Sequence, residues 1–462
     1  MGDQQSVAVS HALDRIPVGS FHHRLLAVCG SAWAFDGMEV ILISFTLPVL
    51  IGAWGLSGLS AGLLGAASLL GMVFGNWGWG WYADRYGRKP AFQWTVLTYA
   101  LFAGLTAFAV GFPSGFVLRF LTGVGLGGAL AVDTSYLSEH LPTDRRGRYL
   151  VYLDAFWPLG NLLAVGLAWL FLAGLPGASG TVTLPALGAV AGWRLLFVAA
   201  AVPGLLVFVI RSQFSETPYY LARTGRVEEA NERLRAIAAE SGQSFEPIDE
   251  DLVADEASPG LSRLFEADVR GRTLLAAVAW FAINFGYYGV FIWLPKTVGA
   301  AGVVGDIYLY FVLIALVQFP GYASAAWLVE RVGRRPTLGA YLVASGVFTF
   351  VFAASMPGVG GFGIGGFWPF VVGLLASSFF TLGAWGAIYA YTPELFPTSV
   401  RATGNGFAGG VGKVAAVVGP ILAGALVGSG YFVALAPLAV AFAIGGVVVL
   451  VFGPETKGEP LR

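Results

Sequence analysis

The chain contains twelve apolar runs, each about as long as the ~20 residues that a helix needs to cross a bilayer. Because lipid cannot pair with backbone N–H and C=O groups, a run of this length in lipid has to be helical. The runs therefore predict an all-α membrane protein with twelve transmembrane helices, which we number spans 1 to 12. They cover residues 25–50, 57–82, 91–111, 114–140, 149–173, 190–212, 273–298, 305–328, 337–357, 366–392, 403–428 and 430–453.

The composition supports this class and excludes others. Only 11% of the 462 residues are charged, whereas a soluble domain has about 25%. The net charge of −1 gives no reason to expect a nucleic-acid partner. Cys29 is the single cysteine, and the four histidines lack metal-ligand spacing, so we expect no disulfide, metal or cofactor.

The basic residues predict the orientation. Of the 26 Lys and Arg residues, all but four lie in the termini or in alternate loops. Basic residues are enriched in cytoplasmic loops, so we expect both termini in the cytoplasm and a multi-pass protein of the plasma membrane. The four exceptions lie within or beside the spans and are Arg119, Arg194, Lys296 and Lys413.

The two halves of the chain repeat each other. GWYADRYGRKP after span 2 is similar to AWLVERVGRRP after span 8, and YLSEHLPTDRRG after span 4 is similar to YTPELFPTSVRA after span 10. We therefore predict a six-helix bundle at 1–212, a helical cytoplasmic linker at 213–272 and a second six-helix bundle at 273–462. Repeated halves of this kind place a substrate site at their interface near the middle of the membrane.

Two acids lie inside the first apolar run, in WAFDGMEV. Asp36 and Glu39 are three residues apart and so share one face of a helix. Burying a charge in a bilayer costs at least ~2.5 kcal/mol, and such residues mark a cavity or a partner. At 1.5 Å per residue in a ~30 Å core, Glu39 and Arg119 of span 4 both lie about 8–9 Å from the outer edge. The sequence therefore predicts that they pair.

Lys413 is a basic residue inside the membrane, in contrast to the two acids of span 1. It lies about 16 Å along span 11, near the middle of the bilayer, and needs an anion there. No acid of the second half lies at the same depth. A substrate carboxylate and a carboxylate of the other half both remain open as its partner.

Other candidates would complete a pocket on the spans that face a central cavity. Ligand pockets are mostly apolar and aromatic with a few polar groups. For each aromatic residue, helix packing is the alternative, and Asp133 and Asp154 would serve equally as helix-end or gate contacts. The substrate-binding candidates are Tyr287, Tyr288, Trp293, Trp385, Tyr389, Asn284, Gln318 and Asp133, with Asp154, Trp157 and Asn161 as weaker ones.

Charged residues in the repeated loops predict a cytoplasmic gate. Exposed ion pairs contribute little, so such a network has to be partly buried when it is shut. Its predicted members are Asp84, Arg88, Glu139, Arg146, Glu216, Glu330, Arg334, Glu394 and Arg401.

These motifs resemble those of the major facilitator superfamily. DRYGRK and ERVGRR resemble its signature loop, and FSETPYYLARTGRVEEA with the final PETKG resembles its sugar-porter-like branch. LDRIPVGSFHHRLL, WAFDGMEV, NFGYYGVFIWLP and WGAIYAYTPELFPT are similar to bacterial metabolite:proton symporters, in particular niacin permeases and the synaptic vesicle glycoprotein two group.

The resemblance implies a proton-coupled symporter that works by rocker-switch alternating access. It implies that Glu39 and Arg119 form the proton-coupling pair, with Asp36 assisting. Lys413 favours a small organic carboxylate, aromatic and nicotinate-like, as substrate. We expect a monomer in the lipid bilayer that binds substrate and proton and is not an enzyme.

Two alternatives stay open, a sugar or polyol:proton symporter and a transport-inactive receptor on the same fold. The chain lacks the paired Gln of sugar porters in AWFAINFGYYG, which weakens the first alternative. Ser215 and Tyr219 replace the Pro and Arg of the span 6 motif, so one ion pair of the gate is expected to be missing.

Overall fold

A computed structural model describes residues 9–174, 181–184, 188–243, 245, 247, 261–301, 307–356, 365–397 and 400–457. Most of the predicted linker is described, but positions 244, 246 and 248–260 lie outside these ranges. The described chain is almost entirely helical. Eleven of its helical segments are long and apolar enough to cross a membrane.

The first half contains six helical segments that match spans 1 to 6. Four of them are continuous, and spans 5 and 6 are each built from shorter pieces. The continuous helices are Ser20–Trp54, Gly58–Tyr86, Arg88–Thr106 and Phe112–Ser138, and span 5 begins with Thr143–Asp154 and Trp157–Ala168. Span 6 comprises Gly192–Ala199, the 3₁₀ turn Val202–Leu205 and Leu206–Gln213.

The second half contains six continuous helices that match spans 7 to 12. Between the halves, two short helices, Pro218–Arg223 and Val227–Glu240, belong to the linker. The six spans are Arg270–Ala300, Ile307–Arg331, Arg334–Ala354, Phe367–Glu394, Arg401–Leu426 and Tyr431–Phe452. The linker and bundle boundaries at 212 and 272 stay a prediction.

Span 3 is the long helix that is not among the eleven apolar ones. It begins with Arg88 and Lys89 and carries Gln93, Thr95 and Tyr99, which lowers its hydropathy. The helix still has the length to cross most of a ~30 Å core, because its 19 residues span about 28 Å. Its packing against spans 2 and 4 makes it the twelfth membrane helix of the fold.

Spans 5 and 6 meet at an irregular connection. Span 5 ends in a π-helical turn, Trp169–Gly174, and a two-stranded antiparallel hairpin follows. The hairpin pairs β1, Thr181–Leu184, with β2, Gly188–Ala191. The described chain is therefore all-α apart from this hairpin, in which TVTL, rich in β-branched residues, pairs with GAVA of β2.

The two halves pack closely at the end of the molecule that lies away from the chain termini. There span 2 contacts span 11, because Gly58 approaches the carbonyl of Gly424 and Gly62 approaches that of Pro420. Small residues permit this backbone-to-backbone contact between membrane helices. Phe45 of span 1 also packs edge-to-face on Phe311 of span 8, at 4.9 Å between ring centroids.

The halves separate toward the end that holds the termini. A Cβ atom built on Gly406, Gly409 or Gly410 of span 11 would meet no described atom within 4 Å outside its own helix. Gly406, Gly409 and Gly410 lie seven, four and three residues before Lys413 and so share its helical face. The face of span 11 that leads to Lys413 is therefore open from this end.

Candidate substrate cavity and ion-pair site

A cavity lies between the two halves, and both repeats contribute to its wall. The space between its lining residues, including the part that is open to solvent, amounts to about 590 Å³. Spans 1, 2, 4 and 5 line one side and spans 7, 8, 10 and 11 line the other. The lining residues are Trp33, Asp36, Val40, Met72, Leu126, Asp154, Trp157, Trp280, Tyr287, Tyr288, Tyr322, Leu382, Trp385, Tyr389 and Lys413.

Lys413 provides the positive charge of the cavity. Its side chain is 7% exposed, and among the described residues it forms no ion pair or hydrogen bond. A buried ammonium without an anion is costly. A carboxylate on a bound ligand gives Lys413 the counter-ion that the described part of the protein does not provide.

Aromatic rings line the same cavity as Lys413. Trp280, Trp385 and Tyr389 contact each other at 5.4–5.8 Å between ring centroids, and Tyr287 contacts Trp385 at 6.0 Å. On the facing half, Trp157 donates a hydrogen bond from Nε1 to the hydroxyl of Tyr287 at 3.1 Å. The cavity therefore presents flat apolar surfaces from both halves, which suit a planar ligand.

Glu39 and Arg119 form the ion pair that the depths predict. Nη1 of Arg119 donates to Oε2 of Glu39 at 3.1 Å, and Nη2 donates to the Glu39 carbonyl at 3.0 Å. Both side chains are buried, and the guanidinium lies over the ring of Phe197 at 5.4 Å. Oε1 of Glu39 and Nε of Arg119 have no hydrogen-bond partner among the described atoms.

Asp36, one helical turn from Glu39, and Asp133 of span 4 are two further buried carboxyl groups, and neither belongs to this pair. Asp36 is 5% exposed and lines the cavity, whereas Asp133 of span 4 is fully buried and does not. All four carboxyl oxygens of the two residues lack a hydrogen-bond partner among the described atoms. The two groups are near enough for their charges to interact.

The structure places most predicted pocket residues in the lining, but four of the main candidates, and Asn161 of the weaker ones, lie outside it. Gln318 accepts a hydrogen bond from Asn161 at 2.8 Å and donates to Ser378, so it links spans 5 and 8. Asn284 donates to the Trp280 carbonyl of its own helix. Trp293 donates to the Pro420 carbonyl near the closed end. Asp133 is the fourth.

The sequence reasoning missed several lining residues. Trp33 and Val40 bracket Asp36 on the same face of span 1, three and four residues away. Trp280 lies seven residues before Tyr287 and so shares its face of span 7. The helical period from an already identified residue was therefore the signal that could have found these three. Tyr322 gave no comparable signal, and its hydroxyl lies beside the carboxyl of Asp154.

The gate residues of the first half form one network at the terminus end. Arg88 pairs with Asp84 at 2.8 Å and with Glu139 at 3.0 Å. Glu216 accepts hydrogen bonds from the backbone N–H groups of Arg88, at 2.9 Å, and of Lys89. Burial raises the pKa of Glu216 above its ordinary value, and these N–H donors oppose the rise.

The second half repeats this network with its own residues. Arg334 pairs with Glu394 at 3.0 Å and with Glu330 at 3.5 Å, and its backbone N–H donates to Glu455 at 3.0 Å. Thr217 donates to Glu139 and Thr456 donates to Glu394, each at 2.5 Å. The Glu-Thr pairs of SETPYY (216–217) and PETKG (455–456) therefore occupy equivalent places in the two halves.

Each network ties helices of its own half, and the ion pairs described here do not bridge the halves. Arg146 donates to the hydroxyl of Tyr219 and lies over its ring, so the tyrosine supplies a contact where an ion pair was expected to be missing. Arg401 donates to the Pro393 carbonyl at 3.0 Å. The described ion pairs therefore form two similar networks, one in each half.

Residues 37–462 match the model of the family described as "Sugar (and other) transporter". The chain belongs to this family of the major facilitator superfamily. It is therefore a secondary transporter with the twelve-helix fold, a multi-pass membrane protein that takes a small-molecule substrate, and not an enzyme.

Individual relatives agree with the family. The chain is 33% identical to the niacin transporter NiaP of Acinetobacter baylyi, over 97% of this chain and 98% of that protein. It is 29% identical to the synaptic vesicle 2-related protein of Pongo abelii, over 98% and 82% of the two chains. The inward-open structure of the xylose transporter XylE from E. coli superimposes with a TM-score of 0.74 at 15% identity, covering 95% and 98%.

Proposed function

We propose that this transporter couples the inward proton gradient to the uptake of a small aromatic carboxylate, nicotinate-like in shape, across the plasma membrane. Both termini lie in the cytoplasm, so the open end of the cavity faces inward. Transport proceeds by alternating access, in which the two rigid halves rock around the cavity. The protein acts as a monomer.

The observation that carries the substrate class is the unpaired ammonium of Lys413 within an aromatic cavity. A carboxylate bound there completes a charge-assisted contact, and an aromatic ring fits against Tyr287, Trp385 and Tyr389. The relative from A. baylyi is named a niacin transporter, and niacin is an aromatic carboxylate. Asn284 and Gln318, which would favour a sugar, do not line the cavity.

The observation that supports proton coupling is the buried pair of Glu39 and Arg119. Arg does not release its proton in proteins, so the carboxyl group is the carrier. Contact with Arg119 favours the ionised form of Glu39, and a rocking motion that separates them leaves a buried carboxylate that has to take up a proton. A protein of the same fold whose structure is solved, XylE, is a proton:xylose symporter.

The substrate class is tested by thermal stabilisation of the purified protein. Nicotinate and benzoate are expected to raise the melting temperature, whereas xylose should leave it unchanged. At a ligand concentration of 100 times Kd, binding adds about 2.7 kcal/mol to the free energy of unfolding. Lys413→Ala should abolish the shift. Lys296→Ala is the matched control, because Lys296 lies over the Trp293 ring outside the cavity lining.

The two alternatives give different results in the same assay and its extension. If xylose stabilises the protein and Lys413→Ala changes nothing, the carboxylate assignment is wrong. If nicotinate binds but wild-type proteoliposomes neither accumulate nor exchange it, the protein is a receptor.

Proton coupling is tested with proteoliposomes that carry a pH gradient. Glu39→Gln cannot exchange a proton, so gradient-driven accumulation of nicotinate should be lost. Exchange of labelled nicotinate across the membrane, which needs no net proton movement, should persist. Glu229→Gln, at an exposed carboxyl on a linker helix outside the cavity and the gate networks, is the control. Full accumulation by Glu39→Gln would exclude Glu39 as the carrier.

A further inference from the structure

The cavity has acid on one half as well as the base on the other. Its charged lining residues are Asp36 of span 1, Asp154 of span 5 and Lys413 of span 11. Asp36 is 5% exposed, and both of its carboxyl oxygens are buried without a hydrogen-bond partner among the described atoms. Lys413 has no partner among them either. Asp36 and Lys413 therefore present to the cavity two buried groups whose contacts the described protein leaves unmade.

Asp36 and Lys413 lie at the same depth in the membrane. Asp36 is eleven residues beyond Leu25, where the predicted span 1 begins, and Lys413 is eleven residues beyond Ala402, just before span 11. Both spans begin at the terminus end, so a rise of 1.5 Å per residue places each group about 16 Å from that end. A ligand that contacts both groups therefore lies across the cavity, from one half to the other.

On the side of Asp36, the aromatic lining begins at the same turn of the helix. A Cβ atom built on Gly37 would lie 3.1 Å from the ring of Trp157, so this indole packs against the turn of span 1 that carries Asp36. Nε1 of Trp157 donates to the hydroxyl of Tyr287 on span 7 at 3.1 Å. The surroundings of Asp36 are therefore joined to the aromatic residues of the second half.

On the side of Lys413, the same aromatic lining reaches span 11. A Cβ atom built on Gly412 would lie 3.1 Å from the ring of Trp280. Trp280 contacts Trp385 at 5.8 Å between ring centroids, and Trp385 contacts Tyr287 at 6.0 Å. An aromatic surface therefore extends from one charged group toward the other, and a planar ligand on it turns opposite edges to the two groups.

We propose that Asp36 binds a ring nitrogen of the substrate while Lys413 binds its carboxylate, so that the transporter selects pyridine carboxylates over benzene carboxylates. The assignment rests on the proposed function, because the carboxylate at Lys413 sets the orientation of the ring. It gives Asp36 a contact with the substrate, separate from the pair of Glu39 and Arg119. The nitrogen has to lie on the side of the ring away from Lys413, as it can in nicotinate.

The contact contains one proton. A pyridine nitrogen without a proton only accepts a hydrogen bond, and so does an ionised carboxylate. One proton taken up from the solvent by either group makes one of them a donor, as O–H···N or as N–H⁺···O⁻, and no other reactant is needed. Benzoate has a C–H group in place of the nitrogen, so it leaves the buried carboxyl group of Asp36 without a partner and should bind about tenfold more weakly or worse.

Asp154 is the other acid of the cavity wall and competes for the same role. Its Oδ2 also lacks a hydrogen-bond partner among the described atoms. Asp154 is only half-buried, however, and the hydroxyl of Tyr322 lies beside its carboxyl group. Asp36 is the more deeply buried of the two, and neither of its oxygens has a partner, so the unmet need is greater at Asp36.

Three ligands test the assignment in the wild-type protein. Nicotinate, picolinate and benzoate each have one six-membered ring and one carboxylate, and benzoate lacks the nitrogen. In picolinate the nitrogen lies next to the carboxylate, so it cannot face Asp36 while the carboxylate faces Lys413. Titrations of thermal stabilisation should give nicotinate a Kd about tenfold or more below those of picolinate and benzoate. Equal affinities for the three ligands would overturn the proposal.

Variants of the two acids assign the preference to one residue. Asp36→Leu is similar in size and has no polar side-chain atom, so the preference for nicotinate over benzoate should vanish while benzoate still binds. Asp36→Asn can donate an N–H group to the nitrogen and should keep the preference. A preference that survives in Asp36→Leu, or that is lost in Asp154→Leu, would overturn the assignment. If Asp36→Leu does not fold, Asp154→Leu alone decides between the two acids.

Failure of this assignment and failure of the proposed function give different results. If nicotinate and benzoate bind equally well and Lys413→Ala abolishes the binding of both, the carboxylate site stands and the nitrogen contact is wrong. If neither ligand binds to the wild type, the proposed substrate class is wrong and the role of Asp36 falls with it.

Discussion

At the scale of single residues, His140 shows how burial makes the fold sensitive to acid. It follows span 4 and is fully buried, and its Nδ1 lies 2.7 Å from the Tyr136 carbonyl. Burial lowers the pKa of His140 from 6.5 to about 4. The unfolded chain therefore binds a proton between these values that the folded protein does not, so stability falls as the pH falls through this window.

As the pH falls from 6.5 to 4, we expect the titration of His140 to lower the free energy of unfolding by about 3 kcal/mol. Each pKa unit of the shift contributes about 1.4 kcal/mol. His140→Phe keeps the ring that packs on Tyr136 at 4.9 Å but cannot titrate, so it should flatten the acid dependence of the melting temperature in detergent. His23→Phe, at an exposed histidine, should not. An equally steep acid dependence in His140→Phe would show that other groups cause it.

Residues that carry charge into the membrane were the most predictable part of the site. Glu39, Arg119 and Lys413 stand out in the sequence because lipid penalises them, and helical rise alone gave the depth of the first two. Gln318 and Trp293 were harder, because a polar or aromatic residue on a cavity-facing span can turn instead toward a neighbouring helix. Gln318 does so by binding Asn161 and Ser378.

At the scale of elements, glycine decides how closely the helices of one half approach. Spans 2 and 4 cross with Gly123 against the carbonyl of Ser68 and with Gly71 against that of Phe120. A methyl group at either position would collide with backbone, which cannot move away as a side chain can. Such contacts hold membrane helices together where no hydrophobic force acts between them.

Gly123→Ala is therefore expected to destabilise the protein by about 1–3 kcal/mol, the usual cost of overpacking a tight contact. The matched control is Gly78→Ala on span 2, where a Cβ meets no described atom within 4 Å. Thermal melting in detergent would compare the two variants. Equal melting temperatures would mean that spans 2 and 4 separate easily to admit the methyl group.

The continuous spans could be predicted from the sequence, but the breaks in spans 5 and 6 could not. Length and hydropathy report that a segment crosses the bilayer, and they contain no information on where its helix changes pitch. Span 5 changes at Ala155 and again at Trp169, and span 6 tightens to a 3₁₀ turn at Val202–Leu205. Pro158 and Pro203 lie beside two of these changes and mark them only in retrospect.

At the scale of the whole molecule, the repeat in the sequence becomes a repeat in the structure. Tyr136 donates to the carbonyl of Ser215 just as Tyr391 donates to that of Pro454. Each of these carbonyls precedes the Glu-Thr pair of its gate network. Because the two bodies have equivalent internal braces, we expect them to move as units and the proposed change of access to occur at their interface.

That interface is closed at one end and open at the other, which makes position 410 a reporter of the rocking motion. Gly410 shares the face of Lys413 and is exposed on the open side. The cysteine of Gly410→Cys should react readily with a polar maleimide. If nicotinate favours a closed arrangement of the halves by ~1.4 kcal/mol, it should slow this reaction about tenfold. The native Cys29 is buried and should contribute little labelling.

Glu229→Cys, on the exposed face of a linker helix, provides the control for effects on the reagent itself. Its labelling should not change with nicotinate, because no half-to-half contact covers it in the described structure. If nicotinate slows both reactions equally, position 410 does not report closure. If nicotinate slows neither reaction but still raises the melting temperature, it binds without shifting the two halves. A ligand moves an equilibrium only by the difference in its affinity for the two states.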